Sequence, residues 1–590
     1  MRNLDTPRWF DFFGQRKRNY FLLALSIFIA YFNKFQNAFV LHDFDVIFNW
    51  ELIKPLRNIP MVFTSTDYPL GFEGMYAPLK TFLYILFHNV FGTNPFGYHL
   101  LGIFGHIVTA IVVYQILFFL MKDDRLSFFG AALFALHPVQ TAMVNPMNQV
   151  GDVWGYVCYF LAFLCYVRSY EPKNEGRRKS YMISIGAYAA GVFLAPNFIH
   201  LPVLFFIYDA MSDDIKVDST SRKGIVMLKR LLPFVVVAGA YMVLKFGVTS
   251  FIFVHKAVFD NSYQTFLLKL LASGRYLLVL FMPQFLAYNP ALSKDIYAFG
   301  VQDFSKMEFL FLSLWDIPIL LILGCIGIMV YFLVQSYNKS RLVSFALSWL
   351  LFAPLPFIVL PTEYLYAESY LYGVLFGFCL MLAALIQMFF QHEGKSLLKK
   401  MGYLYIAGLL ALMFLYAGRI MQRNKDWRNN ISFYSAAIKD NPTYFRLRYE
   451  LGVALLQYQQ PQAAVEQFAR TLALKPDFTV AYLDMAESFM MLNRDKQAIA
   501  VLEEAITVDR EFADAHYNLA GLYAKWGMYK KAKAASVVAV THYRRQEGET
   551  KAMFMKQRFE RYAMSVLRKK VKEFGRMAED RRQTGQKDAE

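Results

Sequence analysis

The stretch FVLHDFDVIFNW, residues 39–50, sets His42, Asp43 and Asp45 within four positions and adds Asn49. A carboxylate so placed can deprotonate or orient a hydroxyl. Asp43 is the first candidate for such a base, and its competing reading is an exposed loop acid or a helix cap. Asp45 is a second candidate by position. Asp152 suits a ligand contact or the cap of the helix that begins there. His99 and His106 lie seven apart, on one helical face. A divalent metal would want closer ligands and an acid partner, so metal binding is unsupported, and a polar seam between helices competes with it. His137 precedes Pro138 and suits a break in a helix. Glu363 and Glu368 flank the start of an apolar run, where either faces a cavity or solvent. None of these groups requires a cofactor.

The elements that must position these residues are largely apolar. The chain has 590 residues, 56% hydrophobic and 18% charged, with a mean hydropathy of +0.30. That excludes an ordinary soluble protein of this length. Runs of spanning length begin near Tyr20, Gly97, Leu126, Asp152, Tyr181, Phe198, Leu231, Ile317, Leu342, Ser369 and Met401, since a span takes about twenty mostly apolar residues. The expectation is about eleven spans, with 267–286 ambiguous. The segment 76–92 reads as an amphipathic helix on the membrane surface. The net charge of +17 sits in short loops and the C-terminal tail. The positive-inside rule explains the loops, so nucleic acid is not expected as a partner. By the same rule the N-terminus is cytoplasmic, with an uncleaved first helix, and the 38–96, 145–152, 251–316 and 361–369 loops lie outside. The four cysteines lie in apolar runs and read as packed side chains.

Beyond residue 422 the apolar runs stop and a 34-residue period begins. Leu451, Gly452, Leu455, Ala464 and Phe468 return as Met485, Ala486, Phe489, Ala498 and Leu502, then as Leu519, Ala520, Tyr523 and Ala532. This is the tetratricopeptide spacing, in which small residues let two helices approach and large ones fill between them. The reading is a half repeat at 426–444, repeats at 445–478, 479–512 and 513–546, and a charged helix and tail at 547–590. The tail caps the solenoid or, less favoured, touches the membrane surface. The solenoid offers a concave face for a protein partner. A polytopic membrane domain, 1–421, therefore precedes an α-solenoid, and the fold class is mostly α.

Four segments make a resemblance specific: LFHNVFGTNPFGYHLLGIFGHIVTAIVVYQIL (86–117), LFALHPVQTAMV (133–144), YLLVLFMPQFLAYNP (276–290) and PTEYLYAESYLYG (361–373). Together they resemble the transmembrane and tetratricopeptide-repeat protein O-mannosyltransferases and their bacterial relatives, of the type C glycosyltransferase fold. The resemblance covers almost the whole chain. It implies a membrane enzyme that takes a sugar from a polyprenyl-phosphate donor and passes it to an acceptor on the non-cytoplasmic face. A carboxylate would serve the acceptor hydroxyl, and basic groups would hold the departing lipid phosphate.

Against that family the charged positions are thinned. The family's paired acids become His42 and Asp43, with Asp45 nearby. The arginine of its YRPL motif is lost at Ala77, leaving Lys80 as a substitute. His137 and Asp152 stay, while Gln140, Ala142 and Ser369 replace charged or imidazole groups. The remaining substrate-binding candidates are His42, Lys80, His99, His106, His137, Asp152, Arg275 and Glu368, with Asp43 and Asp45 as catalytic candidates. Arg275 is placed by the resemblance in the phosphate-binding loop, and snorkelling to the interface is its alternative. Two functions follow. One is an active transferase with a polyprenyl-phosphate sugar as donor, in a bacterial inner membrane with the repeats in the periplasm. The other is an inactive scaffold of the same fold whose repeats recruit partners.

Overall fold

The computed structural model describes residues 8–65, 76–170, 176–212, 220–249, 262–283, 286, 317–337, 339–359, 367–390 and 396–548, with most of 551–566. Glu363, most of the 251–316 loop and the end of the 547–590 tail lie outside the described residues. The described elements are helical. The chain divides into two compact units, Met1–Phe433 and Tyr434–Glu590.

In the first unit the α-helices are α1 (Arg16–Tyr31), α2 (Pro78–Phe91), α3 (Pro95–Met121), α4 (Asp124–Leu136), α5 (Thr141–Val144), α6 (Val150–Arg168), α7 (Arg177–Leu194), α8 (Leu201–Met211), α9 (Thr220–Thr249), α10 (Ser262–Phe281), α11 (Ile317–Tyr337), α12 (Arg341–Phe352), α13 (Leu355–Val359), α14 (Leu371–Phe390) and α15 (Ser396–Asp426). Among the described residues, seven helical segments are long and apolar enough to cross a membrane; α4 with Pro138–Val144, bent by 47°, makes an eighth if counted as one span. The expected eleven are thereby reduced, for local reasons. Helix α1 passes into a 3-10 turn after Tyr31. Helix α7 opens on Arg177, Arg178 and Lys179. Helix α8 has 11 residues, about 17 Å of rise. The ambiguous 267–286 stretch begins inside α10, which is not among the seven.

The bend before Pro138 follows from proline itself, which cannot continue the helical hydrogen-bond ladder. His137 sits at that corner, where its Nδ1 accepts the Val139 N–H at 3.3 Å. Helix α2 buries Lys80, Thr81, Tyr84 and Ile85 along one side, over an apolar cluster with Val46, Ile47, Trp50 and Ile53.

The second unit contains the rest of α16 (Asn430–Asp440), then α17 (Phe445–Gln457), α18 (Pro461–Leu474), α19 (Thr479–Met491), α20 (Asp495–Val508), α21 (Ala513–Lys525) and α22 (Tyr529–Glu547). The first helices of successive pairs begin at Phe445, Thr479 and Ala513, 34 residues apart. Gly452 is required by packing, because a Cβ there would lie 2.5 Å from the Phe468 ring. Ala464, Phe468, Ala486, Ala498, Leu502, Ala520 and Ala532 are all buried. After α22, Met555 is buried against Ala513, Ala539 and Tyr543.

Candidate functional site

The 39–50 stretch is a tight corner. Leu41 takes a left-handed backbone with φ of 55°, a conformation that costs a branched residue roughly 1–3 kcal/mol and needs support from its surroundings. That support comes from both neighbours. The Val40 N–H donates to Asp43 Oδ2 at 3.0 Å, and the Asp43 N–H donates to the Val40 carbonyl at 3.1 Å. The Leu41 N–H donates to Asn430 Oδ1 at 2.9 Å. The chain then enters one π-helical turn, Asp45–Asn49. Its inner half, Val46, Ile47 and Trp50, is buried, and its outer half, Phe44, Asp45, Phe48 and Asn49, reaches the surface.

The two acids have different surroundings. Asp43 is 1% exposed. Its Oδ1 accepts the Asn148 N–H at 2.7 Å, so both oxygens hold backbone amides. Burial pushes its carboxyl up to about 7, against the amides of Val40, Asn148 and Met147 and the nearby Lys34 ammonium, which favour the charged form. Asp45 has a side chain 27% exposed. Its Oδ2 lies 3.1 Å from His42 Nδ1, and its Oδ1 accepts from Asn49 Nδ2 at 3.3 Å. The carboxylate that meets solvent in an oriented pose is therefore Asp45.

Asp43 and Lys34 together hold a break in the chain. Lys34, fully buried, donates to the Val144 carbonyl at the end of α5. Asp43 takes an amide of the 3-10 turn Met147–Gln149 that leads into α6. A cation at a helix C-terminus and an anion at a helix N-terminus each match the local dipole. On the opposite flank of α5, Arg423 donates from Nε to Thr141 Oγ1 at 2.8 Å and from Nη2 to Glu368 Oε2 at 2.9 Å. Both partners of that ion pair are at least 95% buried. Lys34 and Arg423 were not among the candidates read from the sequence. Lys34 closes an apolar run, a pattern that reads as snorkelling, and Arg423 stands in a basic stretch with Arg419, Lys425 and Arg428.

The other candidates are distributed through the bundle. Lys80 Nζ lies 2.7 Å from Asp152 Oδ2, and its stem crosses Gly151, where a Cβ would lie 2.7 Å from Lys80 Cγ. His99 is buried, with Nε2 donating to the Asn37 carbonyl at 3.0 Å. His106 Nε2 donates to the Ala135 carbonyl at 3.0 Å, so Nδ1 accepts from the Tyr372 hydroxyl at 2.7 Å. His137 Nε2 donates to the Leu280 carbonyl at 3.1 Å. One ring nitrogen donating and the other accepting describes the neutral imidazole at His106 and His137. Arg275 lies within α10, not in a loop, and is half-buried. Its neighbour Tyr276 accepts the Ala367 N–H at 3.1 Å, beside Glu368. The structure thus joins His42 with Asp45, Lys80 with Asp152 and Glu368 with Arg423.

No family model matches the chain. Comparison with curated proteins finds a distant relation to protein O-mannosyl-transferases. TMTC3 of Mus musculus is 22% identical over 498 residues, covering 81% of this chain and 53% of that protein. TMTC3 of Homo sapiens is 21% identical over 490 residues, covering 80% and 53%. Tmtc1 of Drosophila melanogaster is 23% identical over 556 residues, covering 78% and 62%. The chain spans about half the length of the first two relatives. Solved structures that share local similarity include the crystal structure of MamA, 20% identical over 26% of this chain and 96% of that one, with a TM-score of 0.19. Another is the crystal structure of the yeast Tom70, 13% identical over 79% and 99%, with a TM-score of 0.21. Superpositions at those scores carry no argument about fold.

Proposed function

On the premise of distant homology to the protein O-mannosyl-transferases across about four-fifths of the chain, we propose that this is a membrane sugar transferase. It takes a sugar from a polyprenyl-phosphate donor and passes it to a hydroxyl of a protein or glycan on the non-cytoplasmic face. Asp45 is the base, oriented by His42 and Asn49. The observation that carries this assignment is the contrast between two neighbouring acids: Asp43 has both oxygens on backbone amides, and Asp45 is solvent-facing and held on both sides.

A base must reach the acceptor proton within about 3 Å, and an accessible carboxylate on an ordered turn meets that need. Lys80 and Arg275 are the cations assigned to the lipid phosphate. The phosphate competes with Asp152 for the Lys80 ammonium, which a doubly charged leaving group is able to do. In this reading the bundle is of the type C glycosyltransferase kind, and α1, α7 and α8 complete eleven crossings with the eight longer segments. The basic loops then face the cytoplasm of a bacterial inner-membrane protein, and the repeats face the periplasm and bind the acceptor or another protein.

The test uses full-length protein in lipid nanodiscs with polyprenyl-phosphate mannose and polyprenyl-phosphate glucose, scoring release of the lipid phosphate and the sugar-sized mass gained by outer-face glycoproteins and glycans. Wild type consumes a donor and Asp45→Asn does not, at matched expression and melting temperature. Equal turnover by Asp45→Asn removes Asp45 from the role of base.

A second reading is favoured by a specific observation. Two buried cations are already paired inside the protein, Lys80 with Asp152 and Arg423 with Glu368. A scaffold that kept the bundle and lost its chemistry would show the same pairing. Complementation of a deletion phenotype by Asp45→Asn, with unchanged glycan masses, is its expected signature.

A further inference from the structure

Beside Asp45 the exposed half of the 42–50 turn carries two aromatic rings. Phe44 and Phe48 are each 37% exposed. Their centroids are 5.5 Å apart with planes inclined by 25°. Buried Phe39 stands edge-on to both, at 6.1 Å from Phe44 and 5.1 Å from Phe48. Such edge-to-face packing orients the pair. Aromatic and polar residues share this surface in the order Phe44, Asp45, Phe48, Asn49, with His42 against Asp45.

We propose that the Phe44–Phe48 pair is the platform on which the pyranose ring of a saccharide acceptor rests, with Asp45 and Asn49 meeting its hydroxyls. The assignment deepens the transferase reading and rests on it. A pyranose presents an apolar face of C–H bonds, whose positive edges suit the negative face of an aromatic ring. Its hydroxyls lie around that face and need fixed carboxylate and amide partners, the usual division of labour in a small-molecule site. The ring belongs to the acceptor because the base touches the acceptor hydroxyl, and Phe44 and Phe48 flank that base within one turn. Lipid contact is disfavoured by the same geometry. Sinking the two rings into hydrocarbon would carry the Asp45 carboxylate with them, which an apolar medium opposes.

The experiment is saturation-transfer NMR on the full-length protein in nanodiscs, with methyl α-D-mannopyranoside and methyl β-D-glucopyranoside as probes. Saturation reaches the ring C–H protons of at least one glycoside in wild type. It falls about fivefold or more in Phe44→Ala/Phe48→Ala, the scale of losing aromatic contacts. The conservative Phe48→Trp keeps the signal and so separates contact from misfolding. No signal in wild type, or equal signal in wild type and the double variant, overturns the platform. A double variant with intact saccharide signal and weakened membrane retention assigns the rings to lipid instead. Transfer to a Ser/Thr peptide with no glycoside signal leaves the transferase reading standing and removes this one. A glycoside signal with no donor consumed removes the transferase reading and the acceptor assignment with it, leaving a saccharide-binding surface.

Discussion

At the scale of single residues, adjacency in sequence conceals opposite surroundings. Asp43 and Asp45 are two positions apart, yet one is sealed in the protein and the other reaches the surface. Asp45→Asn is expected to lower donor consumption by about 10²–10⁴-fold, the range for removing a general base, with the melting temperature unchanged. Asp43→Asn has a different signature. Its carboxyl is raised to about 7 by burial, so the charged form is disfavoured in the folded protein. The stability it contributes is complete well below the ordinary carboxylate range and is lost as pH rises through about 7. Thermal melts from about pH 5 to 8 should therefore show wild type losing stability relative to Asp43→Asn. Parallel curves would show that Asp43 does not titrate there.

At the scale of elements, the short α5 depends on charges supplied by distant parts of the chain. Arg423 reaches Thr141 and Glu368 from the end of α15. Removing one member of a buried ion pair leaves the other uncompensated, at about 3–5 kcal/mol. Arg423→Met should lower stability by that amount in detergent melts, and Glu368→Gln in the same chain should restore part of it. A double variant no better than the single one would mean that the Thr141 bond dominates. In the repeats, Gly452→Val drives a side chain into the Phe468 ring and should cost about 1–3 kcal/mol by overpacking. Phe468→Leu in the same chain should relieve part of it, as read by the far-UV melt of the full chain.

At the scale of the whole molecule, the loop charges set a testable orientation. Single cysteines placed in a cysteine-free background at Asn58 and at Gln460 are expected to react with a membrane-impermeant maleimide in intact spheroplasts. One at Arg178 is expected to react only after permeabilisation. Labelling of Arg178→Cys in intact spheroplasts would reverse the orientation drawn from the positive-inside rule.

The sequence determined the elements whose signal is periodic or continuous. A 34-residue recurrence of small and large residues can only be satisfied by stacked helix pairs, and α17 to α22 begin at that interval. Long apolar runs likewise marked α1, α3, α4, α6 to α9, α11, α12, α14 and α15, but not the short α5 and α13. Lone charges are not legible in this way, because their meaning depends on which backbone group they meet. Lys34 and Arg423 were not singled out in the sequence and are buried clasps on α5. Arg275 looked like a loop residue and lies inside α10. The tertiary structure alone decided which acid keeps access to solvent. A left-handed Leu41 turns Asp43 inward onto the amides of Val40 and Asn148, and the π-helical turn after it carries Asp45 outward. No linear pattern records that choice, because one of the two amides that hold the Asp43 carboxyl comes from Asn148, 105 positions away.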